Sequence, residues 1–214
     1  MVCRSQGGCA SDGVNEPRYR KILWIVLAIN AAMFLVEILA GLAAGSAALQ
    51  ADALDFFADA ANYAISLFVL GMSLRWRATA ALIKGASMAL FGLWIIATVV
   101  WNGVQGTLPS WSTMGVVGVG ALLANIVCLA LLYAWRDGDA NMRSVWICSR
   151  NDVLANCAVL AAALGVFGAG SGWPDLLVAG IMAALAIQGA VSIVGHARGE
   201  LKSLDSAQSR LASS

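Results

Sequence analysis

From Gly85 to Trp135 the chain runs 51 residues without one Asp, Glu, Lys, Arg or His. A membrane-crossing helix needs about 20 mostly apolar residues, so this stretch is too long for one crossing. It is broken at Asn102-Gly103-Val104-Gln105-Gly106-Thr107-Leu108-Pro109-Ser110, where Gly and Pro mark a turn. The region therefore reads as two apolar spans and a short loop. Composition extends the argument to the whole chain. Of 214 residues, 60% are apolar and 12% charged, and mean hydropathy is +0.80. Soluble domains carry about 45–50% apolar and about 25% charged residues. A disordered chain is excluded, because disorder needs low hydrophobicity and high charge. The same numbers argue against a soluble globular enzyme, because a compact domain of this size could not hide so much apolar surface. The net charge of +1 gives no basic field for nucleic acid.

The same reading predicts an all-α integral membrane protein with six transmembrane helices in one bundle. The spans are expected near Ile22–Ala43, Ala47–Met72, Ala80–Gly103, Ser112–Trp135, Ser144–Phe167 and Pro174–Gly195. The chain then divides into a tail (1–20), a six-helix domain (21–196) and a second short tail (197–214). Twelve of the 13 basic residues fall in the two tails, the second loop region (Arg75, Arg77, Lys84) and the fourth loop (Arg136, Arg143). All these segments lie on one side of a six-span arrangement. By the positive-inside rule both termini face the cytoplasm. The thirteenth, Arg150, falls inside a span, where it balances charge or snorkels to an interface. Trp76, Trp101, Trp111, Trp135 and Trp173 sit near span ends, as interfacial aromatics do.

Five acids fall well inside the spans, away from their first residues: Glu37, Asp52, Asp55, Asp59 and Asp152. An ionisable group in hydrocarbon is costly and marks a functional site by default. Asp52, Asp55 and Asp59 follow an i, i+3, i+7 spacing and share one helix stripe. Asp55 and Asp59, one turn apart, can reach one ion. Span five carries Cys148 and Asp152 at i, i+4. Two facing helices would present Asp55, Asp59, Cys148 and Asp152, a set of oxygen and sulfur donors that suits tetrahedral zinc or the softer cadmium. Glu37, Asp52 and Asn151 are supporting candidates: Asn151 as a substitute oxygen donor, the two acids as a gate or proton relay. Bland roles compete: an acid can cap a helix or pair with Arg150, and a lone Cys is usually a small buried hydrophobe, as Cys128 and Cys157 are read. Cys3 and Cys9 in the first tail are a metal-capture candidate, or simply two free thiols.

At these residues the chain resembles the cation diffusion facilitator (cation-efflux) family. The resemblance rests on Asn30, Glu37, Gly41, Ser46, Ala48-Leu49, Asp52-Ala53-Leu54-Asp55 and Asp59, then on Met142-Arg143, Cys148, Asp152 and Asn156. It covers roughly residues 20–198. It implies six helices of the cation-efflux transmembrane-domain type, cytoplasmic termini, a homodimer, and export of divalent metal against inward proton flow. It also implies two ligands from span two, Asp55 and Asp59, and two from span five. Asp152 matches the last ligand, and Cys148 stands where His is usual, which favours softer ions. Most members carry a cytoplasmic domain after span six. Only 19 residues follow Gly195, so the expectation is a chain without it, its dimer held by the spans.

The expected activity is zinc or cadmium efflux by metal/proton antiport, as in metal resistance, across a bacterial inner membrane. No tightly bound cofactor is expected beyond the transported metal, and no enzymatic activity. An intramembrane acid–base enzyme lacks an evident nucleophile or His ligand set. A channel would favour rings of like residues around an axis. A non-transporting metal-binding receptor or assembly partner is the remaining alternative.

Overall fold

A computed structural model describes residues 17–68, 73–135 and 140–212, with side chains described for these except 74, 135, 140–151 and 207–212. These residues form six long helices: α1 Pro17–Ala44, α2 Ala47–Phe68, α3 Leu74–Gln105, α4 Trp111–Leu132, α5 Ala140–Ala169 and α6 Trp173–Ala212. A 3₁₀ turn, Tyr133–Trp135, extends α4. Five helices contain segments long and apolar enough to cross a membrane. The sixth, α2, is set apart by its three Asp residues. Large apolar side chains stand outward on the others: Leu90, Val116 and Leu164 are each at least 70% exposed. Such surface suits a lipid environment rather than water.

Several helices outrun their expected spans. α3 begins at Leu74 rather than Ala80, and α5 at Ala140 rather than Ser144. α6 continues without interruption from the sixth span to Ala212. Span hydropathy marks where a helix meets lipid, not where its hydrogen-bond ladder stops. Glu, Lys, Leu and Arg are good helix formers in water as well. Trp76, Trp101, Trp111 and Trp173 are all at least half exposed near helix ends, as expected.

α2 is the central helix. It packs against α1, α3, α5 and α6. Its small residues Ala47, Ala48, Ala51 and Ala53 are buried, which lets neighbouring backbones approach. α1 comes close at Gly41, where a Cβ would stand 2.9 Å from Gln50 Cγ. α3 and α6 form an extensive pair. A Cβ at Gly85 or Gly92 would meet Val194 or Ile187 of α6 at 2.8 Å. α1, α4 and α5 complete the bundle through α1–α4 and α4–α5 contacts.

The end carrying the three short loops is knit by polar bonds. Gly45, at φ +66°, turns α1 into α2. Its carbonyl accepts from Asn102 Nδ2 at 3.0 Å, and the Ala44 carbonyl accepts from Ser110 N at 3.0 Å. Gly172 lies so close to the Thr107 carbonyl oxygen that a Cβ would stand 2.3 Å from it. At the centre is Asp175, from the first turn of α6. Its carboxylate accepts from Ser46 Oγ at 2.6 Å, Ala47 N at 2.9 Å and Ala48 N at 3.1 Å. Ser46 Oγ in turn accepts from Leu49 N at 3.1 Å. The first three amides of α2 are thus satisfied, two of them by a residue far along the chain. Asp175, Ser46, Ala47 and Ala48 are all fully buried. Helix N-termini leave unpaired N–H groups with a partial positive charge, so a carboxylate there replaces lost water. Asp175→Ala should therefore lower stability by about 1–3 kcal/mol, the cost of leaving buried donors unpaired. Thermal unfolding of the detergent-solubilised protein checks this, and a midpoint equal to the wild type's would refute the clamp.

Candidate metal centre

The buried polar groups of α2 lie in two layers, one turn apart. The layer nearer the short loops holds Asp52, which is fully buried. Asn156 of α5 donates Nδ2 to both Asp52 oxygens, at 2.8 and 3.0 Å. Asn125 of α4 donates to Asn156 Oδ1 at 3.4 Å. Glu37 of α1 is fully buried, and its carboxyl lies against that of Asp52. Neither Glu37 oxygen receives a hydrogen bond from an N–H or O–H group. On the far side, buried Asn30 donates to the Val26 carbonyl at 2.7 Å and to Cys128 Sγ at 3.6 Å.

The second layer holds Asp55, half-buried, and Asp59, buried. Tyr63, one turn on, donates its hydroxyl to Asp59 Oδ2 at 3.1 Å. The carboxyls of Asp59 and of Asp152 from α5 lie against each other. Asp152 Oδ2 is buried without a hydrogen-bond partner. Lys84 of α3 is buried, donates to Asn62 Oδ1 and lies near enough to Asp59 to act on its charge. Two carboxylates facing each other in hydrocarbon are costly unless a cation or proton sits between them. Among the described residues, acceptor oxygens outnumber the one ammonium near them, an arrangement chemically able to hold a cation.

α2 and α5 thus bring Asp59 and Asp152 together, with Asp55 close in the same layer. Among the described residues no three His, Cys, Asp or Glu side chains close into a compact ligand cage. Cys148 and Asn151 lie on α5, but their side chains are outside the described residues, as are Cys3 and Cys9 altogether. Two readings change. Lys84 is not part of a loop: it is the eleventh residue of α3, facing α2. Cys157 is exposed rather than buried, whereas Cys128 is buried; Asn156 points inward, so its neighbour, about 100° around the helix, points out. Sequence reasoning missed Tyr63, Asn62, Asn125 and Asp175. Tyr63 had a signal, its i+4 spacing from Asp59. The others act across helices, where spacing carries no information.

Six packed helices with lipid-facing apolar surfaces and an acid-rich seam define an integral membrane protein with an ionisable centre inside its bundle. The sequence profile of the cation efflux transmembrane domain matches residues 23–201, and the chain belongs to that family. Relatives include a zinc transporter, ZitB, of Yersinia pestis, 27% identical over 173 residues that are 73% of this chain and 54% of that one. A cadmium, cobalt and zinc/H(+)-K(+) antiporter of Bacillus subtilis is 22% identical over 84% of this chain and 62% of its own. The human proton-coupled zinc antiporter SLC30A8 is 26% identical over 77% and 51%. The chain thus spans about half to three-fifths of the relatives it matches.

Tyr63 orients an oxygen of Asp59, and losing such a supporting hydrogen bond typically weakens a metal site about 10- to 100-fold. With Asp59 as a metal ligand, Tyr63→Phe would weaken zinc binding at least about 10-fold, read by isothermal titration of the solubilised protein. Unchanged affinity would remove Asp59 from the site.

Proposed function

We propose that the protein exports divalent metal from the cytoplasm across a bacterial inner membrane in exchange for protons. The observation that carries this reading is the meeting of Asp59 and Asp152, with Asp55 beside them, at a buried α2–α5 seam within a cation-efflux domain. Asp55, Asp59, Cys148 and Asp152 are the proposed ligands. Three carboxylates and a thiolate suit a tetrahedral soft-to-borderline ion, zinc or cadmium. The relatives' names, a zinc transporter and two proton-coupled antiporters, support the cargo and the coupling. Metal binds only deprotonated ligands, so protons and metal compete for these groups. Lys84 offsets part of the negative charge when the site is empty, and Tyr63 holds an Asp59 oxygen in place.

Alternating access needs one group of helices to rock against another. The close α3–α6 pair is the natural rigid unit. The Asp175 clamp ties α6 to α2 at the short-loop end and serves as the pivot. Cytoplasmic termini put that pivot at the outer face. The working assembly is a homodimer.

Purified protein in liposomes with an imposed pH gradient tests the proposal. Zinc or cadmium flux should require the gradient and fall to background in Asp59→Asn. Metal binding without flux in the wild type would instead indicate a receptor. Cys148→His should shift the preference from cadmium towards zinc, and an unchanged ratio of the two fluxes would exclude sulfur ligation.

A further inference from the structure

The layer around Asp52 has no role in holding the metal as proposed above, yet it is deeply buried. Four helices each contribute one side chain to it: Glu37, Asp52, Asn125 and Asn156, all at most 4% exposed. Two carboxyls meet there. Asp52 is supplied with two amide hydrogen bonds from Asn156, so its charged form has partners. Glu37 has none: both oxygens are buried and receive nothing. A carboxylate buried without donors is strongly disfavoured, while its protonated form can donate to a neighbouring carboxylate. Among the described residues, the charged and ionisable groups around the pair add no compensating cation. α2 contributes Asp55, α5 contributes Asp152, and α4 presents the neutral Asn125. Lys84 of α3 lies by Asp59 in the other layer, and Asp175 of α6 is taken up by Ser46 and two amides. The two carboxyls lie against each other, an arrangement that one shared proton holds together.

We infer that Glu37 and Asp52 form a proton-binding site, separate from the metal ligands, that carries one of the protons exchanged for metal. This rests on the antiporter reading above. With the metal layer empty, the proton is bonded to a Glu37 oxygen and hydrogen-bonded to Asp52. When a divalent ion arrives at Asp55, Asp59 and Asp152, its charge expels this proton to the aqueous side then open, leaving both acids ionised. When the metal departs on the other side, a proton from that side restores the Glu37 O–H bond. One proton thus crosses for each metal, besides any that titrate on the ligands themselves.

The experiment uses the full chain in liposomes, with zinc flux and internal pH followed together. The wild type should move protons against zinc; zinc uptake with no proton movement would overturn the antiporter reading itself. Given coupled wild-type flux, Glu37→Gln should move fewer protons per zinc, and an unchanged ratio would overturn the proton site. Should Glu37→Gln move no zinc, infrared spectroscopy of the solubilised, metal-free protein decides. A protonated-carboxyl C=O stretch that vanishes in Glu37→Gln and also on adding zinc to the wild type supports the site. A band unaltered by either overturns it. Glu37→Asp, which keeps the carboxyl, should retain the band and recover part of the coupling. In a potassium-gradient arm at fixed pH, zinc flux driven by potassium and lost in Glu37→Gln would assign the pair to that cation and overturn the proton assignment.

Discussion

Carboxyl groups must be kept out of hydrocarbon, and that constraint organises this bundle. A charged side chain at the centre of a bilayer costs several kcal/mol or more. α2 carries three such groups within eight residues, from Asp52 to Asp59. It cannot stand at the lipid boundary, and it does not: α1, α3, α5 and α6 surround it. Its alanines let those helices close in, and Gly41 lets α1 come close beside Gln50. The remaining helices face lipid with Leu, Val and Trp because α2 has taken the interior. The polar partners of the acids then have to come from the same surrounding helices, and Glu37, Lys84, Asn156 and Asp152 do so.

The two ends of the bundle are held differently. At the short-loop end the bonds are buried and specific. They join α1 to the loops after α3, and α6 to the start of α2. A buried charge-assisted hydrogen bond is roughly twice as strong as a neutral one. At the end carrying the termini, α3 and α6 are linked by the exposed Arg75–Asp205 ion pair. An exposed pair contributes about 0–1 kcal/mol. Among the described residues, the buried bonds between loops and helices gather at the short-loop end, and the far end carries the exposed pair.

Much of this was legible in the sequence, and what was not shares one cause. Six spans follow from hydropathy because lipid imposes a length and a polarity that each segment must meet by itself. The acids of α2 and α5 follow because a charge inside a span is conspicuous. Helix ends were less legible: Leu74–Thr79 and the stretch beyond Gly195 are polar, yet remain helical outside the apolar layer. Lys84 was the harder case. Its position in a basic-flanked segment fits a snorkelling residue as well as a buried one, and only Asn62 and Asp59 on another helix decide between them. Asp175 lies about 130 residues from the helix it caps, and no local pattern connects them.

The two polar layers are also bound to each other by distance. Three residues of helix separate Asp52 from Asp55, a rise of about 4.5 Å. At an effective dielectric of about 20, unit charges about 5 Å apart interact by about 3 kcal/mol. That is more than an exposed ion pair contributes and enough to shift an occupancy about 100-fold. A charge arriving in one layer is therefore felt in the other without any helix moving. The residues holding Asp52 fit this requirement. Asn125 and Asn156 stabilise it through amide hydrogen bonds and add no charge of their own. A Lys or Arg there would neutralise Asp52 permanently and cut the layers apart. Neutral donors keep the acid in place while leaving its charge to respond to its neighbours.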